Sequence, residues 1–177
     1  MRTKTTNGLT EHLSIDLPEK DWLVSHVMLD LAIEQILTRI KLDRSHDVPY
    51  LAGYSQDGKT IYIDRHMPES FQTQDKRTVK TDRFLILHET VEKTLIDQLG
   101  LHYEFAHQIA LRSEQAAVRA DKISWHEYDA FMQIYIKEIG DERLKKVPAN
   151  LDTKPYRDEH DDQLLKRMKK AMAKLDL

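Results

Sequence analysis

From residue 22 onward the apolar positions Trp22, Val24, Val27, Met28, Leu31, Ile36 and Ile40 recur at helical spacing. They predict an amphipathic helix entered through Asp16-Leu17-Pro18-Glu19 and ending near Lys41. Residues 1 to about 15 are polar and predict a frayed terminus. The pattern then changes to period two. Tyr50 to Ser55 and Thr60 to Met67 flank Asp57-Gly58, which predicts two strands joined by a tight turn. In the second strand Ile61 and Ile63 share one face, with Tyr62 and Asp64 on the other. This is the only clear β signal, and the polar stretch Pro68 to Lys80 reads as a loop. Thr81 or Asp82 can cap a second helix, which runs to Leu99 before Gly100 stops it. A third helix, Tyr103 to about Ala120, follows so closely that the two should be antiparallel neighbours. Ser124-x-x-Glu127 is a capping box for a fourth helix through about Lys145. Pro148 and Pro155 interrupt the pattern, and a last helix is predicted from about Asp158 to Lys174. The expected fold class is α+β, mainly helical, with a β-hairpin preceding the second helix and no internal repeat.

At 177 residues and 40% hydrophobic, the chain suits one domain with a substantial core. That domain is expected over residues 16–147, with 148–177 a linker and a helix packing on the body or on a partner. Cysteine is absent, which excludes disulfides, thiolate zinc sites and thiol catalysis, so any metal must be held by nitrogen and oxygen. The net charge of -3 supplies no global field for nucleic acid or an anionic membrane, and neither is expected as a partner. No apolar run approaches the roughly 20 residues that span a bilayer. The N-terminus MRTKTTNGLTEH lacks a signal-peptide core, so a cytoplasmic location is the expectation.

Nine histidines is a high count for this length, and only those with other ligands nearby invite a functional reading. The second helix carries His88-Glu89-Thr90-Val91-Glu92, which places His88 and Glu92 one turn apart on one face with Glu89 beside them. They adjoin the apolar line Phe84, Leu85, Val91, Leu95 and Leu99, so they should lie at the interior margin. On the third helix Tyr103, His107 and Glu114 fall near one stripe, because eleven residues nearly complete three turns. Ala106, Ala110, Ser113 and Ala117 lie beside that stripe and would let the two helices approach closely. A catalytic divalent metal wants about three protein ligands and an open position. His88, Glu92 and His107 supply them, and two histidines with one glutamate form a known catalytic zinc set. Glu114 is then a fourth or alternative ligand, or a carboxylate that orients a histidine. Glu89 is the natural general base, and Tyr103 could donate to an oxyanion. The competing structural explanation is a buried polar network in which Glu92 and Glu114 pair with histidines or arginines.

The extended segment TIYIDR, a loop, and then RFLILHETVE resemble the strand-then-helix core of zincin-like metallopeptidases. The similarity is to the compact intracellular kind found in bacteria and mobile elements, and it spans about Tyr50 to Val118. The resemblance implies His88 as first zinc ligand, Glu89 as base, Glu92 as second ligand and His107 or Glu114 as third. It also implies a peptide or protein substrate aligned by strand addition along Thr60, Tyr62 and Asp64. Position 92 departs from the usual motif, which has His there; a carboxylate weakens the metal's Lewis acidity and favours harder cations. The rival expectation is a non-catalytic metal-binding or interaction protein retaining a degenerate form of this fold.

Other features have ordinary explanations. The basic KRMKKAMAK follows DEHDD on one helix, as dipole complementation favours. His126 beside Trp125 fits capping and packing. Glu104-x-x-His107 is half of a di-iron helix-bundle motif whose second half is missing. No Gly-rich phosphate loop, nucleophile elbow or dinucleotide fingerprint is present.

Overall fold

The computed structural model describes residues 26–141 and 144–173. The polar terminus and the predicted start of the first helix lie outside them. The order is α1 (His26–Leu37), β1 (Lys41–Asp43), β2 (Ala52–Tyr54), β3 (Thr60–Ile63), β4 (Ser70–Gln72) and β5 (Thr78–Lys80), then α2 (Asp82–Leu99), α3 (Tyr103–Ala120), α4 (Trp125–Asp141), α5 (Lys154–Asp158) and α6 (Asp162–Met172). The fold is mixed α+β, with helices predominating over two small sheets. None of the described helices is long and apolar enough to cross a membrane.

The predicted strand pair forms, in shortened form, as β2 antiparallel to β3 with Gly53 opposite Tyr62. The sheet is larger than the hairpin, because β1 pairs in parallel with the other edge of β3, giving the order β1-β3-β2. Both faces of β3 are buried, so Ile61, Tyr62, Ile63 and Asp64 are all covered. Two expectations are corrected here. The first helix ends at Leu37 and the residues from Lys41 belong to a strand. The stretch from Pro68 to Lys80 contains the β4–β5 hairpin, in which Phe71 pairs with Val79 and both are buried. Each strand has three residues and one buried apolar side chain, too little for alternation to register in the sequence.

The helix pair α2–α3 has the most extensive contact between elements. It is antiparallel, since His88 meets Glu114 and Glu92 meets His107. Gly100 makes the reversal with φ 65°; its N–H bonds to the Ile96 carbonyl while the N–H of Leu101 reaches that of Leu95. The Gly100 bond is the αL closure of a helix end, which requires a left-handed residue that glycine adopts without a Cβ penalty. Ala106, Ala110 and Ala117 are fully buried along α3 and keep the interhelical gap small. At the start of α2, Thr81 occupies the N-cap position, but its hydroxyl donates to the Pro68 carbonyl. Glu127, expected to close a capping box on α4, accepts from the Gln74 N–H in the β4–β5 turn.

The helix expected from about Asp158 forms as α6, starting at Asp162, and the short α5 precedes it. Pro155 lies in the first turn of α5, where helices accept proline, and His160 at φ 56° reverses the chain. Asp161 then caps α6 by accepting from the Leu164 N–H. Leu164, Leu165, Met168 and Ala171 pack with Val48, Tyr62, Val147, Leu151 and Tyr156 as a second core. The buried Asp47 holds this segment at its start, accepting from the N–H groups of Lys145 and Lys146 at 2.7 and 2.6 Å. The last part of the described chain is thus built onto the body rather than tethered to it.

Candidate metal centre

Helix α2 turns three carboxylate or imidazole groups toward α3 and the sheet. His88, Glu89 and Glu92 are 6%, 7% and 3% exposed, and Glu114 on α3 is 4% exposed. Burying so many ionisable groups is costly unless they meet partners. Most of the cost is offset within the cluster. His88 Nδ1 lies 2.8 Å from Glu114 Oε2, and the other Glu114 oxygen accepts from the Tyr128 hydroxyl at 2.6 Å. On the opposite side of the ring, His88 Nε2 is 3.2 Å from His107 Nδ1 and 3.5 Å from Glu92 Oε2. His107 Nδ1 is 3.0 Å from the same Glu92 oxygen. The Tyr54 hydroxyl donates to Glu92 Oε1 at 3.2 Å.

Three donor atoms from His88, Glu92 and His107 therefore form a triangle with sides of 3.5, 3.0 and 3.2 Å. Tetrahedral zinc with bonds of about 2.0–2.1 Å separates its ligand atoms by about 3.3–3.4 Å. The circle through the three atoms has a radius of about 1.9 Å, so one ion can touch all of them from slightly outside their plane. These residues form the one group among the described residues whose donor atoms can hold a metal together. The donor set fits a zinc-sized cation. Glu114 falls outside the triangle, on the Nδ1 side of His88, which is where a carboxylate fixes the tautomer that presents Nε2.

The electrostatics without a cation are those of a negatively charged pocket. Burial alone would lower His88, but the carboxylates of Glu114 and Glu92 overcome it and push its pKa up to about 10. Burial raises Glu89 to about 8, reinforced by the neighbouring Glu92 charge. Glu92 goes the other way: burial opposes its ionisation, while hydrogen bonds from His107 and His88 lower its pKa below the usual carboxylate value. Burial also pushes the hydroxyls of Tyr54, Tyr103 and Tyr128 upward, so they remain protonated donors.

The centre opens into a cavity of about 200 Å³. Glu89 lines it beside His88, Glu92 and His107, and the His107 side chain, 36% exposed, stands at its solvent side. Tyr103 also lines it, with its hydroxyl 3.4 Å from His107 Nδ1. The structure thus gathers His88, Glu89, Glu92, Tyr103, His107 and Glu114 in one place. It does not bring Thr60, Tyr62 or Asp64 there. Strand β3 is paired on both edges, so its backbone has no free groups for strand addition. The Tyr62 hydroxyl donates to Asn150, and Asp64 accepts from the N–H groups of Val48 and His66. These are structural bonds, and the strand that lines the cavity is β2. Sequence reasoning missed Tyr54 and Tyr128, which hold Glu92 and Glu114. Both sit in elements distant in sequence from the motif, and a tyrosine in an apolar pattern gives no local sign of its partner.

Compared with family models, curated proteins and solved structures, the chain matches none, and the reading of its site rests on its own geometry.

Proposed function

We propose that this chain is a metal-dependent hydrolase of peptide or related amide bonds, built on a zincin-like domain. The observation that carries the reading is the convergence of His88 Nε2, Glu92 Oε2 and His107 Nδ1 at the mouth of a cavity that Glu89 also lines. A bound zinc or similar divalent ion would polarise the scissile carbonyl and make water a stronger acid. The rest of the chemistry belongs to the chain. Glu89, ionised once a cation offsets the neighbouring carboxylate charge, accepts a proton as the water oxygen attacks the acyl carbon, and it returns that proton to the leaving nitrogen. The C–O bond forms, the C–N bond breaks, and the products are a carboxylic acid and an amine. Glu114, steadied by Tyr128, keeps His88 in one tautomer. The Tyr103 hydroxyl, beside the His107 donor atom, is placed to donate to the developing oxyanion.

The set is two histidines and one glutamate, a combination that supports zinc hydrolases. Helix α2 contributes one histidine and the glutamate, and α3 contributes the second histidine. The experiment is metal analysis of purified protein with thermal melting, followed by hydrolysis assays on a peptide mixture. Zinc should bind at a ratio of one and raise Tm. Glu89→Gln should retain the metal and lose about 10²–10⁴ in turnover, whereas His88→Ala should lose both. Protein that neither holds a divalent ion nor gains stability from one would sink the proposal. Metal binding with no hydrolysis would leave the non-catalytic reading in its place.

A further inference from the structure

The proposed hydrolase reading says nothing of which bonds are cut, and the walls of the cavity carry that information. Beyond the donor atoms the lining is apolar and aromatic: Leu85, Leu111, Trp125, Met132, Ile136 and Tyr156. Apart from Tyr103, whose hydroxyl faces His107, three tyrosines around it have their hydroxyls engaged. Tyr54 donates to Glu92, Tyr128 to Glu114, and Tyr156 to the Pro49 carbonyl at 3.0 Å, so their rings supply hydrophobic surface rather than hydrogen-bonding groups. The charged residues of the lining are all acidic apart from the histidines, with Asp129 and Asp152 added to the three glutamates. Among the described residues, no lysine or arginine lines the cavity. Lys93 reaches Asp152 at 2.9 Å and lies over the Tyr54 ring, outside the lining.

A pocket for a carboxylate needs a fixed cation, usually an arginine fork. Away from the donor atoms no lysine or arginine stands in the lining, and there an incoming carboxylate would lose its water and meet Asp129, Asp152 and aromatic faces. An apolar side chain would exchange water for carbon contacts and gain about 25 cal/mol per Å² of area buried. We propose that this cavity receives one bulky apolar or aromatic side chain from an internal peptide segment. On this reading it rejects a carboxylate at the same place, whether an acidic side chain or a free C-terminus. The inference rests on the hydrolase reading for its reaction, but binding in the pocket can be measured apart from it.

Two measurements separate the claims. In the first, N-acetyl-phenylalaninamide, N-acetyl-leucinamide and the amide of N-acetyl-aspartate are titrated by calorimetry into metal-free protein and into zinc-loaded Glu89→Gln protein. The two apolar amides should bind at least tenfold more tightly than the aspartyl one in both. In the second, blocked peptides differing at one residue, together with a Phe peptide bearing a free C-terminal carboxylate, are offered to the zinc-loaded full chain and the cut sites are read by mass spectrometry. Cuts should fall next to Phe, Leu or Met, with at least tenfold lower rates beside Asp or Glu and for the free acid. Ile136→Arg, at the half-exposed rim, should narrow that gap by about tenfold while circular dichroism shows the fold intact; Gln133→Arg serves if that variant fails to fold. Apolar binding without any cleavage would overturn the hydrolase reading and leave the pocket standing. Cleavage with equal or greater preference for acidic residues, or no apolar preference in binding, would overturn the pocket.

Discussion

Glu92 stands one turn after His88, where the motif that this segment resembles has a second histidine, and the consequence for the proposed centre depends on His107. With Glu92 alone the α2 motif would offer one nitrogen and one oxygen. His107 Nδ1, 3.0 Å from Glu92 Oε2, restores the two-nitrogen, one-oxygen set from a neighbouring helix. Glu114 has a separate task, and its removal should show it. Glu114→Gln should lower zinc affinity by about 10–100-fold, measured by chelator competition, while the protein still binds one ion. A full loss of binding would make Glu114 a ligand rather than an orienting group. The sequence displayed these residues because helical spacing alone places them on facing stripes. It could not display Tyr54 and Tyr128, whose hydroxyls reach the cluster from a strand and a helix that only tertiary folding brings near.

The pairing of α2 with α3 turns those stripes into a site. It depends on small side chains along α3, because bulk at Ala106 or Ala110 would push the helices apart at the level where donor atoms must stay about 3 Å from one another. Ala110→Leu should cost about 1–3 kcal/mol of stability from overpacking. Its zinc affinity should fall by a larger factor than in a surface control of equal stability, as comparison of chemical denaturation with zinc titration would reveal. Equal losses would mean that helix spacing does not set the centre. The long helices were evident from sequence because eighteen residues give several turns of periodicity and because Gly100 marks the stop. Strands β1, β4 and β5 were not, since three residues hold no full alternation and their pairing is decided by partners elsewhere in the chain. The short α5 and the later start of the C-terminal helix were missed for a related reason. His160 adopts a left-handed conformation without being glycine, and Asp161 looks like any other acid in DEHDD until its side chain is seen capping α6.

Across the whole molecule, the C-terminal segment is fastened to the body through Asp47. Burial opposes ionisation of its carboxylate, but the Lys146 and Lys145 N–H groups and the Arg65 guanidinium at 2.6 Å outweigh it and hold the pKa below the ordinary aspartate value. A lowered carboxylate contributes stability that is complete above its unfolded pKa of about 3.9 and is lost as pH falls through the folded one. Hydrogen exchange at the Lys145 and Lys146 amides should therefore accelerate, after correction for intrinsic rates, as pH drops below about 4. In Asp47→Asn those amides should be less protected at neutral pH and their opening should lose the acid dependence. Unchanged protection in that variant would show that Asp47 does not hold the segment.

That segment also bears on the order of events during synthesis. The three proposed donors lie on consecutive helices, but Asp152, Pro155 and Tyr156, which close part of the cavity, come from beyond α4. Chains are made from the N-terminus, and earlier parts can fold before later ones emerge. A nascent chain thus carries His88, Glu92 and His107 while the cavity still lacks a wall. On the proposed function, the chain order would let metal binding precede completion of the substrate pocket.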